Sequence, residues 1–157
     1  MKKILLSIIT LLFVSTTAFA DNSKEALVFF NSYVNAANNY SSTVAEMYSP
    51  TAKIIRQVIK PDGTTVDISK DTATYIKQMK IGQAGAKLRK YTNHYSNITA
   101  TPVEGGYKIS SLRQPSGEDY KLKTYMIVKK QPNGKWLITE EMMQTKVQTF
   151  LRYADKT

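Results

Sequence analysis

The sequence contains no cysteine and only one histidine, His94, among its 157 residues. Without cysteine the chain can form no disulfide, supply no thiolate ligand to a metal and carry no thiol redox chemistry. A single histidine argues against a zinc site, because such sites usually draw on several His or Cys ligands. No carboxylate-rich loop of the calcium-binding type is present either. We therefore expect neither a metal nor a cofactor.

Long apolar runs are also missing, apart from one segment near the N-terminus. Ile4–Phe13 is apolar except for Ser7 and Thr10, follows two lysines, and is succeeded by Ala18-Phe19-Ala20. This order of basic, apolar and small residues is typical of a secretory signal peptide, and the run is short for a bilayer span. We predict a signal peptide over residues 1–20, cleavage after Ala20, and export to the periplasm or the medium.

Positive charge exceeds negative charge along the rest of the chain. Without Lys2 and Lys3, 20 of the 22 basic residues remain against 12 acidic residues, a formal charge of +8. The cations are dispersed, and their densest groups are Lys87–Lys90, Lys121–Lys123 and Lys129-Lys130. Such groups fit a solvated basic surface, or a patch for an anionic partner. They form no recognised nucleic-acid motif, so we expect no nucleic-acid partner and at most a peripheral membrane contact.

Apolar periodicity predicts three helices in the first half of the chain. The first begins at Asn22 or Ser23 and ends at Asn38-Asn39. The second is a short helix capped by Thr43 and stopped by Pro50, and the third is capped by Ser69 or Asp71 and frays at Gly82 and Gly85.

The remaining segments read as β-structure, and Gly- and Pro-containing turns separate them. The predicted strands are Lys53–Lys60, Thr64–Ile68, Arg89–Pro102, Tyr107–Arg113, Tyr120–Lys130 and Lys135–Val147. The last four predict an antiparallel meander. We therefore expect one α+β domain over residues 21–150, with a polar tail over residues 151–157.

The order of these elements resembles the nuclear transport factor 2-like superfamily, which includes SnoaL-like and ketosteroid-isomerase-like proteins. The residues that carry the resemblance are Val44–Ile54, a short helix running into a strand, and Asn133–Ile138, a Gly-x-Trp entry to the last strand. The resemblance implies a curved antiparallel sheet wrapped around three helices as a cone-like half-barrel with an open mouth. It also implies a possible homodimer formed through the sheet. Because this superfamily hosts enzymes, carriers and assembly domains, it does not fix a function.

Two residues are candidates for a general base. His94 lies in a predicted strand, although no Asp has a spacing that forces it near this histidine. Glu140 and Glu141 are the acidic residues inside a predicted strand, and strand alternation turns one of the two inward. We take Glu140 as the second candidate. The simpler interpretation of His94 is a surface or hydrogen-bonded strand histidine, and that of Glu140 is an ion pair with Lys or Arg on a neighbouring strand or a position at the rim.

Aromatic residues and arginines point instead to ligand binding. The chain has ten tyrosines and one tryptophan. A tyrosine combines a large apolar face with a polar tip, which suits a pocket for an amphipathic ligand as well as ordinary strand packing. Arg113, and less favourably Arg56, could turn a guanidinium inward to bind a carboxylate or phosphate. The predicted ligand-binding residues are Tyr33, Tyr48, Tyr95, Arg113, Tyr125 and Trp136.

Three functions are consistent with these observations. The leading hypothesis is an exported, non-enzymatic domain that binds a small amphipathic or anionic ligand, or an envelope protein, through its cone cavity or sheet face. The second is a small enzyme of the SnoaL or ketosteroid-isomerase type that uses His94 or Glu140 as its base. The third is a periplasmic lipid carrier, which would need a deep apolar tunnel.

Overall fold

The computed structural model describes the backbone of residues 14–156 and the side chains of residues 22–152. Residues 1–13, most of the predicted signal peptide, lie outside the described residues. The elements in chain order are α1 (Val14–Asn38), a first 3₁₀ helix (Ser42–Met47), β1 (Tyr48–Ile59), β2 (Thr65–Lys70), α2 (Thr72–Leu88), β3 (Asn93–Val103), β4 (Gly106–Pro115), β5 (Leu122–Lys130), β6 (Trp136–Thr145) and a second 3₁₀ helix (Gln148–Lys156). No helix in this described part of the chain is both long enough and apolar enough to cross a membrane.

The six strands form one curved, unclosed sheet in the order β2-β1-β6-β5-β4-β3. Strands β3 to β6 pair antiparallel in sequence order, which confirms the predicted meander. Strand β1 pairs antiparallel with β2 and parallel with β6, a long-range pairing that the sequence does not predict. The α+β class and the packing of a curved sheet on three helices in the N-terminal half are confirmed.

Helix α1 packs on the concave face of the sheet and supplies the centre of the core. Ala26 and Phe30 are almost fully buried there. Phe30 meets Tyr95 of β3 edge to face, with ring centroids 5.4 Å apart. The sheet contributes inward aliphatic residues such as Ile109 and Ile138. Strand alternation therefore assigns one face of each central strand to the core and leaves the other on the convex side.

Turns lie where the sequence predicts them. Gly63 and Gly134 have φ angles of +84° and +83°, which residues with a side chain rarely adopt. Asp62 accepts a hydrogen bond from the backbone N–H of Thr64 at 2.9 Å, which fixes the turn between β1 and β2. These local interactions explain why Pro- and Gly-containing segments mark the strand ends.

The first two helical segments differ from the sequence prediction. Helix α1 already includes Val14, the first described residue, upstream of the predicted start at Asn22 or Ser23, and no Gly or Pro interrupts the chain between them. Ser41, not Thr43, caps the next helix, which is of the 3₁₀ type. Pro50 lies inside β1, where the pairing with β6 is irregular and a residue without an N–H is tolerated.

Helix α2 and the C-terminal segment also differ in extent. Asp71 caps α2 as predicted, accepting from the backbone N–H of Thr74 at 2.8 Å. The helix continues past Gly82 and Gly85 instead of fraying there, because its inner side is held by tertiary contacts such as the 2.6 Å hydrogen bond from Gln83 Nε2 to the Ser41 carbonyl. The segment predicted as a polar tail continues the second 3₁₀ helix up to Lys156.

Candidate functional site

A cavity of about 320 Å³ lies between the helices and the concave face of the sheet. Its lining is strongly aromatic: the tyrosines that reach it are Tyr33, Tyr40, Tyr75, Tyr91 and Tyr95. Val44, Met79, Ala86, Met143 and Phe150 supply apolar wall, and Arg56 and Arg113 supply two guanidinium groups. The volume is at the low end of the range of about 300–1,000 Å³ for small-molecule sites. The cavity therefore suits a small, partly apolar molecule.

Arg113 reaches the cavity because it lies on the inward face of β4, which it shares with the core residue Ile109. The residue is only 7% exposed. Nη1 donates to Asn93 Oδ1 at 2.8 Å and to the Tyr91 hydroxyl at 3.3 Å, and Nη2 donates to the Gln144 carbonyl at 3.0 Å. All three acceptors are uncharged, and the buried Nε has no hydrogen-bond partner. Arg113 is therefore a buried cation at the cavity wall whose acceptors are all neutral and whose Nε is enclosed without a partner.

The charge of Arg56, in contrast, is compensated within the protein. Nη2 donates to Glu141 Oε1 at 2.7 Å, and Nη1 donates to the carbonyl of Ile55 at 3.0 Å. The guanidinium carbon lies 4.7 Å from the centre of the Tyr75 ring. Burial alone lowers the pKa of Arg56, but its interactions with Tyr75 and Glu141 outweigh this effect and raise it above its usual value. Arg56 therefore stays charged and is already paired.

Glu141 is the centre of a buried polar network behind the cavity wall. Its side chain is fully buried, with 0% exposure. Besides the bond from Arg56, its carboxylate accepts hydrogen bonds from the Tyr48 hydroxyl and, at 3.2 Å, from the Tyr75 hydroxyl. The hydroxyl of Tyr33 lies 3.3 Å from that of Tyr48. Because three donors already occupy the carboxylate, Glu141 is poorly placed to accept a proton from a ligand.

The tyrosines of this network remain neutral donors far above physiological pH. Burial, followed by the negative charge of Glu141, raises the pKa of Tyr75 to about 12. The same two causes raise the pKa values of Tyr33 and Tyr48 well above the usual value. Burial likewise raises the pKa of Tyr95. These tyrosines therefore add no negative charge near the cavity. Among residues 22–152 no carboxylate forms an ion pair with the Arg113 guanidinium.

The structure brings only part of the predicted ligand-binding set together. Tyr33, Tyr95 and Arg113 line the cavity. Tyr48 lies behind the cavity wall in the Glu141 network. The other two lie elsewhere: Tyr125 donates to Glu140 at 2.6 Å, and Trp136 donates to Glu25 at 3.2 Å and packs near Tyr107.

Neither of the two predicted general bases lines the cavity. His94 is exposed in β3, and Glu140 is half-buried on the convex side with Tyr125 as its hydrogen-bond partner. Strand alternation predicts that one of Glu140 and Glu141 points inward, and in the structure this residue is Glu141, not the candidate base Glu140. Ile127 pairs with Glu140 and Val128 pairs with Ile138, so Thr139 is an extra residue in β6. This bulge makes Ile138 and Glu141 point inward together, whereas simple alternation from Ile138 selects Glu140.

Sequence reasoning missed several residues of the site, and two of them had a usable signal. Tyr91 and Asn93 share a strand face with Tyr95 in the sequence pattern, and the structure places all three at the cavity. Tyr75 and Phe150 had no such signal, because α2 and the C-terminal segment approach the cavity only through tertiary packing. Arg56, for which an inward orientation was the less favoured prediction, is inward and buried.

Comparison with known structures identifies the class of fold. No family model and no curated protein sequence matches the chain. Among solved structures, an NTF2-like protein of unknown function from Pseudomonas putida KT2440 is 11% identical, with a TM-score of 0.62 over 80% of this chain and 87% of that chain. An NTF2-like protein with a cystatin-like fold from Novosphingobium aromaticivorans is also 11% identical, with a TM-score of 0.59 over 88% and 91%.

Nuclear transport factor 2 from Cryptosporidium parvum has the same architecture, at 11% identity and a TM-score of 0.56 over 80% of this chain and 93% of that chain. The chain therefore has the nuclear transport factor 2-like fold, as the element order predicts. Identities this low establish the fold and leave the function to be argued from the site.

Proposed function

We propose that the protein is an exported binding domain whose cavity takes a small amphipathic molecule with a single negative charge. The observation that carries this proposal is Arg113, a buried guanidinium that lines the cavity, is held only by neutral acceptors and retains an unpartnered Nε. A buried charge without a counter-charge is costly, and an anionic ligand would compensate it.

The ligand's charge and shape follow from the same geometry. Arg56 is neutralised by Glu141, so Arg113 is left to attract one anionic group. Its fork of N–H donors matches a carboxylate. The apolar and aromatic walls, with Met79, Tyr95 and Met143 among them, favour a hydrocarbon or aromatic body. A monocarboxylate with a short apolar body is therefore the ligand class that we propose.

Catalysis has less support than binding. The exposed position of His94 and the convex-side position of Glu140 separate both predicted bases from the cavity. The inward carboxylate, Glu141, already accepts three hydrogen bonds. We therefore propose a binding role without a reaction.

The test compares decanoate with decanol, two probes that share an apolar body and differ in charge. Isothermal titration calorimetry should show binding of decanoate and at least tenfold weaker binding of decanol. The Arg113→Met variant should lose this preference, whereas the control Arg152→Met removes the same charge at an exposed position and should keep it. Equal binding of the two probes, or an unchanged preference in Arg113→Met, would overturn the proposal.

The natural ligand and the export step need separate measurements. Native mass spectrometry of the protein recovered from its host's envelope should reveal an acidic small-molecule adduct that denaturing conditions release. Recovery of the full-length chain in the cytoplasmic fraction, with residues 1–20 still attached, would contradict export.

A further inference from the structure

Helix α2 has a second, outward side that the fold does not use. Its inner side supplies Met79 and Ala86 to the cavity, yet none of its residues is fully buried. On the outer side Ile81 is 70% exposed and Leu88 is 86% exposed. These two residues are seven positions apart, about two helical turns, so they project in nearly the same direction. Two large aliphatic side chains therefore stand in solvent on one side of the helix.

Lysines accompany these aliphatic side chains. Lys77, Lys80 and Lys87 are exposed on the same part of α2. No Asp or Glu occurs between Asp71 and Glu104, so no neighbour along the chain neutralises these charges. We call Lys77, Lys80, Ile81, Lys87 and Leu88 together the basic face.

An apolar groove borders the basic face. It has a volume of about 620 Å³ and lies between α2 and the start of β1, where Pro50 and Ile76 form part of its walls. Lys77, Lys80 and Ile81 line the groove as well as belonging to the basic face. Cations and apolar surface thus alternate over one continuous area.

We propose that the basic face docks on an anionic phospholipid bilayer. Its uncompensated lysines complement anionic headgroups, and Ile81 and Leu88 can enter the boundary between headgroups and acyl chains. The lysine stems allow the charged ends to stay at headgroup level while the aliphatic residues go deeper. An acidic protein fits less well, because the basic face contains no aromatic residue and no arginine, the residues that dominate protein-protein hot spots.

Docking in this orientation would place the cavity-lining helix directly on the membrane. The inner side of α2 would continue to line the cavity while its outer side faced lipid. This inference does not depend on which ligand the cavity binds, so the failure of either proposal leaves the other standing.

The test is co-sedimentation of the full chain with vesicles in 100 mM NaCl. We expect binding to vesicles of equal parts phosphatidylglycerol and phosphatidylcholine, at least tenfold weaker binding to pure phosphatidylcholine, and loss of binding at 500 mM NaCl. The triple variant Lys77→Gln, Lys80→Gln, Lys87→Gln should bind the anionic vesicles at least tenfold more weakly, because each lysine at such a surface increases partitioning by about fivefold.

A matched control removes the same charge elsewhere. Lys121→Gln, Lys123→Gln, Lys135→Gln replaces three exposed lysines in β5 and in the segments that flank it, and should change binding by less than about threefold. Ile81→Ser, Leu88→Ser keeps the charge and should still weaken binding by roughly tenfold, since its apolar contribution is lost. All variants share the same N-terminal segment, so its contribution to vesicle binding cancels when the variants are compared.

Several outcomes would overturn the proposal. Equal losses in the two triple variants would show attraction by net charge alone. Equal binding to neutral and anionic vesicles would remove the role of the lysines. A dimer in analytical ultracentrifugation that the basic-face variants dissociate would make this area a contact between two copies of the chain.

Discussion

The buried network around Glu141 makes a strong prediction about stability. Replacing Glu141 by Gln keeps its shape but removes the charge that compensates Arg56, whose Nη2 lies 2.7 Å from Oε1. Breaking a buried ion pair from one side costs about 3–5 kcal/mol, because the remaining charge is left uncompensated. The adjacent variant Glu140→Gln is a matched control. It alters one hydrogen bond, from Tyr125 on the half-buried convex side, and should cost about 1 kcal/mol.

Urea unfolding would give the free energy and thermal unfolding the melting temperature of both variants, each followed by the fluorescence of Trp136 and by circular dichroism. For a domain of this size we expect the melting temperature of Glu141→Gln to fall by roughly 10–15 °C. A cycle with Arg56→Met tests the cause: the double variant should cost at least about 2 kcal/mol less than the sum of the single variants. A loss below about 1 kcal/mol in Glu141→Gln, or equal losses in Glu140→Gln and Glu141→Gln, would refute the reasoning.

Three further predictions concern other parts of the chain. The pKa of Tyr75 is raised to about 12 from an unfolded value of about 10, so its contribution to stability is fully present below pH 10 and is lost as the pH rises through 12. Absorbance at 295 nm and unfolding curves should show this loss of stability, and the loss should be smaller in the Tyr75→Phe variant. Gly82→Ala should stabilise α2 by up to about 1 kcal/mol, because an added Cβ meets nothing within 4 Å. Gly106→Ala should destabilise the protein strongly, because its Cβ would lie 2.1 Å from the Val128 carbonyl oxygen. Thermal melts of the two variants measure this difference. Arg113→Met should lower the melting temperature by less than half as much as Glu141→Gln does, because removing an uncompensated charge offsets the loss of its hydrogen bonds. A larger decrease would assign Arg113 a mainly structural role.

Local signals in the sequence predict most of the fold. Turn residues such as Gly63 and Gly134 fix the strand ends through their own backbone conformations, and Asp71 caps α2 with its own side chain. Each of these effects involves only residues close in the chain. The order of strands in the meander follows, because consecutive strands joined by short turns pair as neighbours. The pairing of β1 with β6 is parallel and long-range, so no local signal announces it.

The candidate site is less predictable, because its decisive residues depend on register. One extra residue, Thr139, turns Glu141 inward and Glu140 outward, and a bulge of this kind leaves no clear mark in the sequence. The same limit applies to Tyr75, which reaches Glu141 only because α2 packs over the open side of the sheet. Arg113 could be anticipated as an inward arginine, but its lack of a carboxylate partner is a property of the folded arrangement.

The two cavity arginines differ in whether their charge is compensated by a carboxylate of the protein. Arg56 Nη2 lies 2.7 Å from Glu141 Oε1, so its positive charge is already compensated in the folded protein. Arg113 is equally buried but has only neutral acceptors, so part of its attraction for an anion is still available in the folded protein. A ligand that supplies this anion would stabilise the native state by mass action, by about 2.7 kcal/mol at a concentration of 100 times its Kd. No carboxylate forms an ion pair with Arg113 among the described side chains, which is consistent with the anion-binding role proposed above.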